Sequence, residues 1–208
     1  MDAKTRSALE AISNATVSMQ LLKRGIRSVS MAGPKPMNTP TKPIVGEAFT
    51  LRYVPMREDL STPEVLGGKD YPPRVAIESV PADDILVIDG RGRADIAAVG
   101  DILVERLKVR GVGGLVADGG VRDFEECLAA DFPIYAAGPA APGGTSSLTR
   151  VRAGSSKNGH RSIAQTGDCT VVQRRVTVPA PRRARYNDVE EDFRVAHVLR
   201  WLGGAAGG

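Results

Sequence analysis

The stretch VGDILVERLKVRGVGGLVADGGVRDFEE, residues 99–126, decides how this chain reads. Its apolar run GLVAD, Gly114 to Asp118, is short and bounded by glycines, as a buried strand is. A helical segment precedes it, and Arg122 to Ala130 reads as a short helix after it. Helix, strand and helix in this order predict an α/β unit with parallel pairing.

Reading outward extends the pattern. DILVID (84–89) is a buried strand, GRGR (90–93) a turn, and Ala94 to Arg110 a helix or a short loop leading into one. PIYAAG (133–138) is a further strand, and IVGEAFTLRYV (44–54) has strand composition. Residues 5–24 place Ala8, Leu9, Ile12, Ala15, Val17, Met19 and Leu22 at roughly helical spacing, with Gly25 as the stop. MAGPKPMNTPTKP (31–43) reads as a loop, and 55–74 as a long irregular stretch of the kind that often carries function. Beyond Pro139 the pattern weakens. TVVQRRVTV (170–178) has strand character, Val189 to Leu202 reads as an amphipathic helix, and GGAAGG as a frayed end. There is no internal repeat.

Composition bounds the class. The chain has 208 residues, 42% of them apolar and 25% charged, which suits one soluble globular core. No run of 18 apolar residues exists and the N-terminal segment lacks an apolar signal core, so a cytoplasmic protein without a membrane span is expected. Two cysteines, Cys127 and Cys169, make no disulfide framework. Residues 1–144 carry 17 Lys/Arg against 19 Asp/Glu, whereas 145–208 carry 11 against 5. The tail is therefore basic, but aromatics are not interleaved with its arginines. We read it as a solvated basic surface rather than a nucleic-acid site.

The chemistry collects at two places in the opening stretch. In parallel α/β sheets, ligands gather at the carboxyl ends of strands. The turn after Asp118 delivers Gly-Gly-Val-Arg-Asp, with Arg122 and Asp123 where a helix begins. Gly100-Asp101 is the second place. Asp101 reads as the N-cap of helix 102–110, which exposes the backbone N–H groups of Ile102 and Leu103. Those donors suit a carboxylate, arginine adds a bidentate grip on it, and an aspartate can hold a hard divalent cation with waters. Each residue also has a plainer reading: a cap, a first-turn acid, a surface ion pair.

Asp101 and Arg122-Asp123 form D-x20-R-D around GVGGLVADGGVRD. With NATVSMQLLKRG and DDILVIDGRGRADIAAVGD upstream, this resembles the RraA-like family over roughly residues 8–140. That family includes class II 4-hydroxy-4-methyl-2-oxoglutarate aldolases, which also decarboxylate oxaloacetate, and RraA proper, which binds and inhibits a ribonuclease. The resemblance implies a swivelling β/β/α fold with a central βαβ core, assembled as a trimer or hexamer with sites between subunits. It implies that Gly100, Asp101, Ile102 and Leu103 hold the substrate carboxylate. Arg122 would bind the 2-oxo acid and stabilise its enolate, Asp123 would hold Mg2+ or Mn2+, and Asp101 would orient waters or Arg122. The implied activity is a metal-dependent lyase, an aldolase or decarboxylase yielding pyruvate. The alternative is a non-catalytic ribonuclease-binding protein. Family members complete the metal site with a carboxylate from a neighbouring subunit's C-terminal region, where Glu190, Glu191 and Asp192 are the candidates here.

The tail departs from that pattern, so residues 1–144 are expected to form the family domain. Residues 145–208 would be a divergent basic segment, packed on that domain or partly disordered. Other signals carry less. GRGRAD lacks the third glycine of a dinucleotide loop. His160 and His197 have no metal-ligand spacing with the cysteines. Lys108 lies among Arg106 and Arg110 and is read as solvated, not as a Schiff-base lysine. Cys127, next to Glu125 and Glu126, is read as buried packing. Met19, Met31, Met37 and Met56 are read as packing residues.

Overall fold

The four apolar runs of the sequence lie side by side. A computed structural model describes residues 1–27, 31–38, 43–53, 55–56 and 61–143, together with the backbone of strands at 152–153, 163–166 and 169–173. The large sheet is built on β2 (Ile44–Arg52), β3 (Ile85–Asp89), β5 (Gly114–Ala117) and β7 (Ile134–Ala136), each parallel to the next. Its full order is β1-β7-β5-β3-β2-β10-β9. Here β1 (Lys35–Pro36), β9 (Ile163–Thr166) and β10 (Cys169–Gln173) extend the edges, and β8 (Arg152–Ala153) pairs with β2. A second, two-stranded parallel sheet joins β4 (Ala97–Val99) to β6 (Gly120–Val121).

Continuous apolar strands are what a sheet covered on both faces requires. Along β3, Leu86 and Ile88 enter the main core while Ile85 and Val87 enter a smaller cluster on the opposite face. β5 and β7 divide in the same way: Leu115, Ala117, Ile134 and Ala136 enter the first, Val116 and Tyr135 the second. Helices α4 (Pro72–Ser79), α5 (Asp101–Val109) and α6 (Phe124–Ala129) cover the main core with Ala76, Ile77, Val104, Leu107 and Cys127. This mixed α/β architecture, a central sheet with helices, is the expected class.

Several local expectations need correction. The helix of 5–24 is two helices, α1 (Ala3–Glu10) and α2 (Asn14–Lys23). The break falls where Ser13 caps the second helix, accepting from the Thr16 amide at 3.2 Å; Asp2 caps the first, accepting from the Thr5 amide at 2.8 Å. The helical spacing across 8–22 therefore mixes two faces. Leu9, Val17 and Leu21 are buried, while Met19 is 53% exposed and is not a core residue. Met31 and Met37 do pack, each partly buried against one core cluster.

The proline-rich 31–43 stretch is not all loop. Lys35 and Pro36 pair antiparallel with Ala136 and Tyr135 at the sheet edge, where a missing proline N–H is tolerated. Within 55–74 the chain forms α3 (Pro63–Gly67) and enters α4, both with proline in the first turn. Lys108 is not simply solvated: its ammonium donates to Ala130 O at the end of α6. The predicted helix at 189–202, the histidines and the carboxylates at 190–192 lie outside the described residues. Among the described residues, no helix is long and apolar enough to cross a membrane.

Candidate functional site

The β4–β6 ladder places the site. Gly120 N donates to Ile96 O at 2.9 Å and Arg122 N to Val99 O at 3.1 Å. Ala97 pairs with Gly120 and Val99 with Val121, so the register shifts by one residue around Ala98. The carbonyl this shift turns aside is satisfied from below, where the buried Tyr53 hydroxyl donates to Ala98 O at 2.8 Å. Burial, and secondarily Tyr71, pushes the Tyr53 phenol well above its ordinary range, so it stays a donor. Neither the ladder nor Tyr53 is legible in the sequence, because β6 is two residues long and Ala94–Val99 blends into the following helix.

The two predicted halves meet where the ladder ends. A β-carbon at Gly100 would stand 2.6 Å from Asp123 Oδ2 and 2.7 Å from Arg122 Nε, so only glycine leaves room for both side chains there. Gly100, not Asp101, is the N-cap of α5. Asp101 is instead its first-turn acid, favourably placed at the positive end of the helix. Leu103 N already donates to Gly100 O at 3.1 Å. The amides directed outward from this helix end are thus those of Asp101 and Ile102. The Ile102 side chain is 73% exposed.

Asp123 precedes α6 in a left-handed conformation, φ 53 and ψ 52, uncommon for a residue with a side chain. Its carboxylate does not cap the helix. It faces Arg122, with Nε 3.3 Å from Oδ2, and the two side chains are 50% and 42% exposed. Cys127 lies beneath the pair, 1% exposed, its amide donating to Asp123 O at 2.9 Å and its thiol to Arg122 O at 3.4 Å. Burial pushes that thiol up to about 11, helped by the charges of Asp101, Asp123 and Glu126. It is an inert packing group, for a reason broader than its two acidic sequence neighbours.

Asp118 leaves this cluster. Its carboxylate turns back to accept from the amides of Gly90 and, at 2.9 Å, Gly92. Burial raises its pKa, opposed by those two amides. Asp89, buried at the end of β3, accepts from Arg91 N at 2.9 Å and pairs with Arg52 Nε at 2.6 Å. GRGR is therefore a turn held by carboxylates. Among the described residues, no group of three His, Cys, Asp or Glu side chains is placed to hold a metal ion. Asp123 and Asp101 are the oxygen donors at the site. A cation held by one or two carboxylates and several waters, as Mg2+ commonly is, would call on these two.

Turns at the carboxyl ends of parallel strands, a glycine-capped helix start and an Arg-Asp pair lie together here, at the kind of place where open α/β sheets carry their ligands. The family model described as "RraA-like: Aldolase/RraA" matches residues 9–177, and the chain belongs to that family. The match runs past residue 140, to residue 177. Protein DlpA of Legionella pneumophila is 32% identical over 104 residues, 50% of this chain and 16% of that protein. A Halalkalibacterium halodurans protein named "Putative 4-hydroxy-4-methyl-2-oxoglutarate aldolase" is 32% identical over 77 residues, 37% of each chain. The chain thus matches well under half the length of these two relatives. The Streptomyces coelicolor structure of RraAS2, described as an unusual member of the RNase ES inhibitor RraA protein family, superposes with TM-score 0.64 at 27% identity. That superposition covers 83% of this chain and 79% of the other.

Proposed function

We propose that this protein is a divalent-metal-dependent carbon–carbon lyase that cleaves a small 2-oxo acid to pyruvate. The reaction would be retro-aldol cleavage of the 4-hydroxy-4-methyl-2-oxoglutarate type, oxaloacetate decarboxylation, or both. The observation that carries the reading is the convergence of Arg122, Asp123 and the amino end of α5 on Gly100. The first-turn amides of Asp101 and Ile102 and the Arg122 guanidinium supply donors for a substrate carboxylate and its neighbouring oxo oxygen. Asp123 offers an exposed carboxylate to Mg2+ or Mn2+, and Asp101 orients the surrounding waters or Arg122. Bound there, the cation supplies Lewis-acid stabilisation of charge on the oxo oxygen as the bond beta to it breaks. Arg122 adds a positive charge at the same place. This metal-assisted route uses no Schiff-base lysine, and Lys108 donates to Ala130 O.

The test is pyruvate release from oxaloacetate and from 4-hydroxy-4-methyl-2-oxoglutarate, with Mg2+ or Mn2+ and then with EDTA. We expect metal-dependent turnover that disappears in Asp123→Ala. Silence with every metal, from a folded protein, would sink the lyase reading. A second reading, a non-catalytic ribonuclease-binding protein, is favoured by the likeness to RraAS2. Arg122→Ala separates the two, because it should abolish turnover yet leave a ribonuclease contact intact.

A further inference from the structure

Three successive amides of the turn 90–92 are taken by carboxylates. Asp89 accepts from Arg91, and Asp118 accepts from Gly90 and Gly92. The turn has two left-handed residues, Arg91, φ 62, and Gly92, φ 66. The two carboxylates differ in reach. Asp89 closes the turn locally, two residues away. Asp118 directly follows β5, so its bonds tie the exit of β3 to the exit of β5.

Each exit leads into one side of the β4–β6 ladder. Residues 94–99 descend from the turn, and residues 119–122 descend from Asp118. They meet closely: a β-carbon at Gly120 would stand 2.8 Å from Ala94 O and 2.5 Å from Ala140 Cβ. Backbone bonds hold 119–121 on the far side, from Ala137 N to Gly119 O and from Val121 N to Gly138 O, each 2.9 Å. The 94–99 side carries the shift at Ala98. A slip of one residue there would carry Gly100 away from Arg122 and Asp123.

We propose that Asp118 is a positioning residue for the Gly100–Arg122–Asp123 site. By pinning the turn 90–93 to the end of β5, it sets the register at which 94–99 runs beside 119–122. It touches no reacting group and acts through Gly90, Gly92 and the ladder. Its consequence for ligand binding rests on the lyase reading, whereas its consequence for the ladder does not.

The experiment compares the full chain with Asp118→Ala and Asp118→Asn by residue-resolved hydrogen exchange and by Mn2+ binding followed by electron paramagnetic resonance. In Asp118→Ala the amides of Gly120 and Arg122 should exchange about tenfold faster or more, while Leu115, bonded to Pro133 O in the main sheet, stays near its wild-type rate. Mn2+ affinity should fall in parallel. Asp118→Asn, which keeps one acceptor oxygen, should recover part of both effects, and it carries the comparison should the alanine variant not fold. Unchanged exchange at Gly120 and Arg122 would overturn the proposal, as would equal acceleration at Leu115, which marks general loss of stability. A wild-type chain that binds no Mn2+ would count against the lyase reading alone, and the exchange rates would still decide the role of Asp118.

Discussion

The two ends of the β4–β6 ladder use the same residue type in opposite ways. At its head, Asp118 is half-withdrawn from water and occupied by two backbone amides. At its foot, Asp123 is 42% exposed and faces the half-exposed guanidinium of Arg122. A carboxylate bound by backbone amides inside the fold is a strut. One that faces a side chain in contact with water can exchange that partner for another. Five residues apart on one strand–turn segment, the same chemical group is structural in one place and available in the other, and only its neighbours differ.

Substitutions can break this contrast at graded cost. Gly100→Ala strikes the foot. Its new methyl meets the movable ends of Arg122 and Asp123, so folding stability should barely change. Misplacing both groups by about an ångström should nevertheless lower turnover by about 10²-fold, read from pyruvate release beside a thermal melt. Gly120→Ala strikes the middle, where the methyl meets Ala94 O and Gly138 O of the backbone and Ala140 Cβ. Overpacking there should cost about 1–3 kcal/mol of stability in urea denaturation.

Tyr53→Phe leaves Ala98 O without its donor. An unsatisfied buried carbonyl should cost about 1–3 kcal/mol, and exchange should quicken in the ladder before the main sheet.

Cys127→Ser gives the subtlest effect. In the folded protein the thiol is raised from 9.0 to about 11. The folded state therefore keeps a proton that the unfolded chain releases, and that contribution to stability is present below about pH 9 and lost as pH rises toward 11. The serine variant, which keeps a donor for Arg122 O but does not titrate, should flatten this limb. Identical wild-type and variant curves above pH 9 would show that Cys127 is not protonated as described.

Much of the fold could be read from local pattern. Buried strands 85–89, 114–117 and 134–136 announce themselves because a strand covered on both faces must be apolar throughout. The candidate site was legible for a related reason: Gly100-Asp101 and Arg122-Asp123 flank one helix–strand unit, and parallel topology brings such ends together. Failures fell where local pattern carries too little information. Two short strands, β4 and β6, have no periodicity to detect. Met19 follows helical spacing but belongs to a helix whose cap at Ser13 resets the face.

By itself, then, the sequence determined the α/β class and the parallel core, and it singled out Gly100, Arg122 and Asp123, which the structure brings together. These depend on apolar runs, glycines and charges that are close along the chain. Only the tertiary structure decided what surrounds each aspartate. Asp118 and Asp123 are the same side chain five residues apart in GLVADGGVRD. Their roles come from Gly90 and Gly92 arriving from 26 to 28 residues upstream on one side, and Gly100 on the other. Whether a carboxylate is a strut or a ligand depends on which donors surround it and how much water reaches it, and both are set by contacts between distant segments.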